Sequence, residues 1–483
     1  MKAVHWGVIA VFLGLARCAH AFGYDALVAR ARGLAEAPLR TTANPRPLGG
    51  RGRWVRIGGP WGGRVLQVRG AGPLQVTPLD QAARTVRCAG LRLVTRDPDP
   101  AVVLAVHGPY FYARPAHAAR GTEAALLWPA AGAVFTHLWV GADAGSWRVY
   151  GLLEGPAATA AVRLIIRGRT RVSMAVRMTV FVRNAHGISG VFPLRSMYWY
   201  GRANHVPAQA LYPAAHDADG IWVRTAAATI WQPLADPAQP RTLQVAGRGA
   251  RAFGLLQRDR AFGHYESLRA RYQDRPDVWE VLNARIPAFV RLRETPWCGQ
   301  RNIVAYGYLR PVSRTAVFGA RCTLYWGRHA SPHRLGRVTT TLMGGDAASG
   351  DFKYVIEYGG ARLDRLPVSS VQAHVAVWPH TAIEEDRLER NRHTGGFRQI
   401  IQVAPATLWL RAWLTAAGRS VSEIWQWCSS SNPVHAASCF KAPYPMQASQ
   451  TVLGGAWLRG YSTATRPFFP YQAGILAEWA SYP

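Results

Sequence analysis

The sequence predicts an all-β protein. Period-two alternation is its dominant pattern, Gly and Pro punctuate it throughout, and helical spacing is scarce. Between Arg171 and Arg183, Val172, Met174, Val176, Met178, Val180 and Val182 occupy every second position. Successive Cβ atoms of a strand point to opposite faces, so this run reads as one long half-buried strand. The 47 Gly and 32 Pro supply the turns that many short strands need.

Taken in chain order, Met1–Ala21 reads as a secretory signal peptide. Lys2 gives the positive start, Val8–Leu15 the apolar run, and Ala19-His20-Ala21 the small-x-small cleavage site. Tyr24–Leu34 has helical spacing. Short strands follow at Trp54–Ile57 and Trp147–Tyr150, and the long one at Arg171–Arg183. Phe262–Tyr272 is a second helix candidate, with Tyr265, Leu268, Arg269 and Tyr272 at helical spacing. We place a domain boundary near Ser331-Pro332, after a large β domain over 22–330. Strands at short spacing over 335–427, including Phe352–Tyr358, have the pattern of an immunoglobulin-like sandwich. Residues 428–483 change texture to Pro, Ala and aromatics, and form an extension of unassigned order. Cys428 and Cys439 are close enough in sequence to close a loop in an oxidising compartment.

Composition excludes a disordered chain and a disulfide-stapled mini-protein. Hydrophobic residues make up 49% of 483, aromatics 11%, and there are only six Cys. No segment is apolar over 18 or more residues, so a spanning helix is not expected. Lys and Arg total 57 against 27 acids, a net charge of +30, or +28 without Met1–Ala21, and all but three of the basic residues are Arg. That charge keeps a polyanion- or membrane-surface-binding module open as an alternative. No nucleic-acid motif accompanies it, and neither cofactor nor metal spacing is present.

The densest chemistry lies between Phe253 and Ala305, where Arg and Asp alternate with aromatics. Aromatic faces stack on sugar rings, and Arg/Asp forks hold several hydroxyls at once. A structural Arg–Asp network beneath a loop is the plainer reading of the same residues. Asp217 in Asp-Ala-Asp-Gly is good turn chemistry, His216 reads as a hydrogen-bonded neighbour, and Trp199 and Tyr200 as core aromatics or a sugar platform. Cys298 has no His/Asn constellation and reads as a small buried residue.

Three motifs give this region a likeness. Phe253–Phe262 fits F-G-L-L-Q-R-x-R-x-F, Arg271–Pro276 fits R-Y-x-x-R-P, and Asn302–Ala305 reads N-I-V-A. Together, and in this order, they resemble the periplasmic glucan biosynthesis proteins G and D. Phe22–Asp25, Tyr110-Phe111, Ser196-Met197, His216-Asp217, Trp231-Pro233-Leu234 and Ser422-Glu423 extend the likeness over about 22–427. The resemblance implies a galactose-mutarotase-like N-terminal sandwich with a glucan cleft and a smaller immunoglobulin-like domain. It implies a periplasmic role in making osmoregulated glucans, a β-1,2 backbone with β-1,6 branches, beside an inner-membrane glucosyltransferase. Substrate contacts are then expected from Tyr110, Trp199, His216, Trp231, Arg258, Arg260, Tyr272, Arg275 and Asn302.

Some members of this family resemble inverting glycoside hydrolases, which need one carboxylic acid and one carboxylate base. Asp217 matches the base side. The acid belongs directly before N-I-V-A, and there this chain has Arg301. A guanidinium does not release a proton at working pH. The expectation is therefore a glucan-binding protein with impaired hydrolysis. The alternative is an active glucanase or transglycosylase that recruits Asp259, Asp274 or Glu294 instead.

Overall fold

The computed structural model describes residues 23–428 and 449–450, except 38–52, 62, 81–83, 97–98, 131, 205–209, 247–248, 284–288, 329–334, 346–348, 361, 380–382, 408 and 429–448. The expected signal peptide, the boundary at Ser331-Pro332, Cys439 and nearly all of 428–483 lie outside the described residues.

The protein is built almost entirely of strands, as its alternation predicts. Strand Arg171–Val182 shows why. Val172, Met174, Val176, Met178 and Val180 are buried in the main core, while Arg171, Ala175 and Arg177 face out. Burial of each such apolar side chain is worth about 1.5–3 kcal/mol. Its partners are antiparallel on both sides, with Met178 opposite Val162 and Val176 opposite Cys322.

Two long ladders of strands enclose that core. One runs from Val134–Asp143 through Ser146–Glu154, Ala158–Arg167, Arg171–Val182, Val317–Gly327, Asp277–Leu282, Ala252–Leu256 and Gly220–Arg224 to Thr229–Pro233. The other begins at Trp54–Trp61 and passes through Arg64–Pro78, Val86–Thr95, Ala101–His107, Tyr110–Arg114, Glu123–Ala124, Gly190–Ser196 and Ile303–Tyr308. They join where Gln75–Pro78 pairs in parallel with His137–Val140.

Helix Tyr24–Glu36 packs on the outside of the first ladder. Tyr24, Leu27 and Ala31 fall on one face and are buried. The Tyr24 hydroxyl donates to Ala161 O (3.3 Å), and the Arg177 guanidinium lies 4.5 Å from its ring. Ala37 is extended and Pro38 follows, which stops the helix.

Beyond residue 335 one further sheet and a continuation of the first ladder share a second core. Arg337–Gly345, Phe352–Gly359, Phe397–Val403 and Ile383–Arg390 form the sheet, antiparallel in that order. Val371–Trp378, Trp409–Ala416 and Ile424–Cys428 form the other face. Tyr358 and Ile401 from the first meet Leu410 and Trp425 from the second. Strand Ile424–Cys428 also pairs in parallel with Thr229–Pro233, Ile230 opposite Ile424 and Trp231 opposite Trp425. The first ladder therefore continues into the C-terminal strands.

One expected element differs. Phe262–Tyr272 is not a helix but two short 3-10 turns, Phe262–His264 and Tyr272–Asp274. Glu266 and Arg271 take left-handed backbone (φ 53° and 50°), which interrupts helical hydrogen bonding between them. The spacing of Tyr265 and Tyr272 is still used: both rings are buried and meet at 5.8 Å.

Candidate functional site

Backbone pairing assembles the site at the end of strand Gly190–Ser196. Arg195 lies opposite Glu123 on one side, and Ser196 lies opposite Ile303 on the other. Just past this strand, Met197 O accepts the Asp217 N–H at 2.8 Å. Glu123, Asp217 and the Arg301 loop thus converge from residues far apart in the chain. The F-G-L-L-Q-R-x-R segment supplies the fourth wall. Gln257 donates from Nε2 to the Tyr265 hydroxyl (2.7 Å) and Tyr272 O (3.1 Å). Arg260 donates to Gln273 O (2.9 Å), Arg275 O (2.6 Å) and Asp277 Oδ1 (2.8 Å). These bonds fix the turn that carries Arg275 to Asp217, Nε to Oδ1 3.1 Å.

Arg301 sits between two carboxylates. Its Nη1 is 3.5 Å from Glu123 Oε1, its Nη2 is 3.7 Å from Asp217 Oδ2, and Nη2 donates to Gly121 O at 2.9 Å. Gly121 is a close approach: a Cβ there would lie 3.2 Å from Pro276 Cδ. Glu123 is buried and also meets Arg120 (2.7 Å), His107 (3.1 Å) and Arg195 (4.0 Å). Burial disfavours its charge, but Arg301, His107 and Arg120 outweigh that and hold the carboxyl well below the usual carboxylate range. Four guanidinium groups face two carboxylates, so the cluster is cationic. It is also incompletely bonded, since Arg301 Nε and Glu123 Oε2 are buried without hydrogen-bond partners.

The other expected residues divide by what they touch. Tyr110 is half-buried beneath the Arg195 guanidinium, 4.7 Å from its ring, and so belongs to the cluster. Tyr272 is buried under Arg275, 5.4 Å away, and burial pushes its hydroxyl pKa up. His216 is locked: Nδ1 contacts Gln257 Oε1 (3.1 Å), Nε2 lies 3.5 Å from Asp219 Oδ1, and the ring stacks on Tyr198 at 5.2 Å. Asn302 bonds the Tyr198 N–H (3.0 Å), Tyr198 O (2.8 Å) and Thr295 O (2.9 Å), which uses up its amide. Trp199 is half-buried and stacks at 4.0 Å on Trp297.

Arg258 and Trp231 form a different unit. Arg258 makes a bidentate pair with Glu423 (2.6 and 2.8 Å) and stacks 3.6 Å from the Trp231 ring. Trp231 is buried in the second core, although its edge reaches a cavity of about 40 Å3 beside His216.

The substitute acids are all engaged. Asp259 pairs with His264 at 2.6 Å, Asp274 with Arg271 and Arg328, and Glu294 with Arg241 at 2.7 Å. Cys298 is exposed, not buried, and is followed by Gly299 in left-handed backbone (φ 82°).

Sequence reasoning missed Glu123, whose only local signal is the i, i+3 spacing from Arg120. It also missed Trp297 and Asp236. Asp236 Oδ1 accepts the Trp297 N–H at 2.7 Å, and burial, reinforced by Glu294, pushes its carboxyl up to about 6.

A family model described as "Periplasmic glucan biosynthesis protein, MdoG" matches residues 119–428, more than half of the chain. The chain belongs to the MdoG family. Among curated relatives, glucans biosynthesis protein D 1 of Ralstonia nicotianae is 31% identical over 334 residues, 61% of each chain. Glucans biosynthesis protein D 2 of the same organism is 31% identical over 249 residues, 48% of this chain and 46% of the relative. Glucans biosynthesis protein G of Cereibacter sphaeroides is 30% identical over 297 residues, 58% of this chain and 55% of its own. The matches to these MdoG relatives span about half to three fifths of their length. Among solved structures, a polysaccharide lyase overlaps with TM-score 0.17 at 10% identity, covering 59% of this chain and 36% of its own.

Proposed function

We propose that the protein is exported to the periplasm and binds a glucan chain there during glucan biosynthesis, without hydrolysing it at the Asp217 centre. Its two units would be a cleft-bearing sandwich over 22–330 and a smaller immunoglobulin-like one over 335–427. An inner-membrane glucosyltransferase is the proposed source of the chain. Membership of the MdoG family supports the glucan role.

The observation that carries the loss of hydrolysis is the environment of Arg301. Inverting hydrolysis requires a protonated carboxyl facing a carboxylate base. Here a guanidinium within 3.7 Å of Asp217 occupies the approach. The neighbouring acid Glu123 is held ionised, so it has no proton to give. Asp274 and Glu294 are each paired to arginine, and Asp259 is bonded to the His264 ring, which counts against the active-glucanase alternative.

The test is incubation of the purified protein with linear β-1,2-glucan. No shortened or cyclised product is expected, and Arg301→Asp should gain turnover. Turnover by the unmodified protein that matches a relative with the acid in place would overturn the reading. Binding of β-1,2-glucan no tighter than dextran would count against the glucan role itself.

A further inference from the structure

Three adjacent strands of the first ladder carry arginines and no acid. Ala158–Arg167, Arg171–Val182 and Val317–Gly327 hold Arg163, Arg167, Arg171, Arg177 and Arg321, and neither Asp nor Glu. The register sets three of these side by side. Arg163 is opposite Arg177, and Arg177 is opposite Arg321, so one row of arginines crosses the outer face of the sheet. Opposed residues have Cβ atoms about 4.5–5.5 Å apart, and like charges so placed destabilise a sheet.

No carboxylate among the described residues forms an ion pair with this row. Asp143 and Glu154, on the two preceding strands of the ladder, pair instead with Arg148 and Arg183. Asp25, in the first turn of the adjacent helix, forms no ion pair with the row. Arg163 Nε is buried without a hydrogen-bond partner, and Arg177 lies over the Tyr24 ring at 4.5 Å. Arg177 and Arg321 are exposed.

The rows on either side are low and flat. Ala161, Thr179 and Gly319 flank the arginines on one side, and Ile165, Ala175 and Thr323 on the other. No large exposed apolar side chain stands among them. Protein interfaces centre on apolar and aromatic anchors, which this face lacks. An anionic bilayer needs only cations held near its plane.

We propose that this face docks the protein on an anionic phospholipid surface through Arg163, Arg177 and Arg321. The lipid phosphates would offset the repulsion within the row. The inference goes beyond the glucan reading, because the row includes none of the residues around Asp217.

Co-sedimentation of the full chain with phosphatidylcholine vesicles, with and without phosphatidylglycerol, tests it. Binding should require phosphatidylglycerol and fade as salt is raised. Each arginine near a bilayer adds about fivefold in affinity, so Arg177→Gln with Arg321→Gln should weaken binding about 25-fold. Binding of β-1,2-glucan should stay unchanged. As a control, Arg362→Gln with Arg392→Gln, at exposed positions beyond residue 335, removes equal charge and should weaken binding far less. If the row variant does not fold, Arg321→Glu alone changes the net charge equally and decides the matter. The proposal is overturned by no binding to the phosphatidylglycerol vesicles, by equal binding to neutral ones, or by equal losses from the row and control variants. It is also overturned if polyglutamate binds and the vesicles do not, which would assign the face to an acidic protein.

Discussion

Arg258 and Arg301 meet carboxylates in opposite ways. Arg258 closes on Glu423 with two parallel bonds, and Val338 N donates to the same carboxylate at 2.9 Å. Arg301 stands off from its two carboxylates at 3.5 and 3.7 Å and leaves Nε unbonded. The first arrangement is saturated and ties the segment after strand Ala252–Leu256 to the C-terminal strands. The second is under-bonded, and a hydroxyl-rich ligand can complete it. Residue type alone does not separate the two arrangements; the completeness of the bonding does.

The largest effect should come from opening the clasp. Glu423→Ala strands the Arg258 charge in a nearly buried position, and should cost about 3–5 kcal/mol in urea unfolding. A loss below about 1 kcal/mol would mean that the clasp does not hold the C-terminal strands in place. Next, Glu123→Gln leaves the guanidinium cluster without its central anion and should cost about 2 kcal/mol at pH 7. The sign with pH follows from the depressed carboxyl: its contribution is full above the unfolded value of 4.5 and is lost as pH falls below it. Stability curves of wild type and Glu123→Gln should therefore converge in acid, and parallel curves would refute the assignment.

Arg301→Ala should cost about 1–2 kcal/mol of stability, because Arg120, Arg195 and His107 remain beside buried Glu123, but weaken glucan binding about tenfold, the reverse of the Glu423 pattern. Unfolding and titration of the same sample separate the two. The smallest effect is a coupling energy. A double-mutant cycle on Arg301 and Asp217 should give about 0.5 kcal/mol, well below the cycle on Arg258 and Glu423. Equal couplings would erase the distinction.

The strand framework was legible because it is local. Alternation over Arg171–Arg183 and the Tyr24–Leu34 spacing each report one face of one element, and both elements form there. Phe262–Tyr272 misled because its aromatic spacing serves burial through irregular backbone. The site was legible only where motifs carried it. Asp217, Arg275 and Arg301 do come together, whereas Glu123 reaches them through a ladder with Arg195, 72 positions away. No window along the chain holds that pairing. Nor does one hold the stack of Trp199 on Trp297.

The parallel pairing of Trp231 with Trp425 has a consequence for how the chain is made. Gln232 and Gln426, beside that pair, bond to each other across 194 positions. Until the last of these residues has been delivered, strand Thr229–Pro233 presents an open edge, the kind that recruits strands from other molecules. A chain cut short before Ile424 should therefore self-associate rather than persist as a smaller working protein. The C-terminal strands act as the chain's own edge guard.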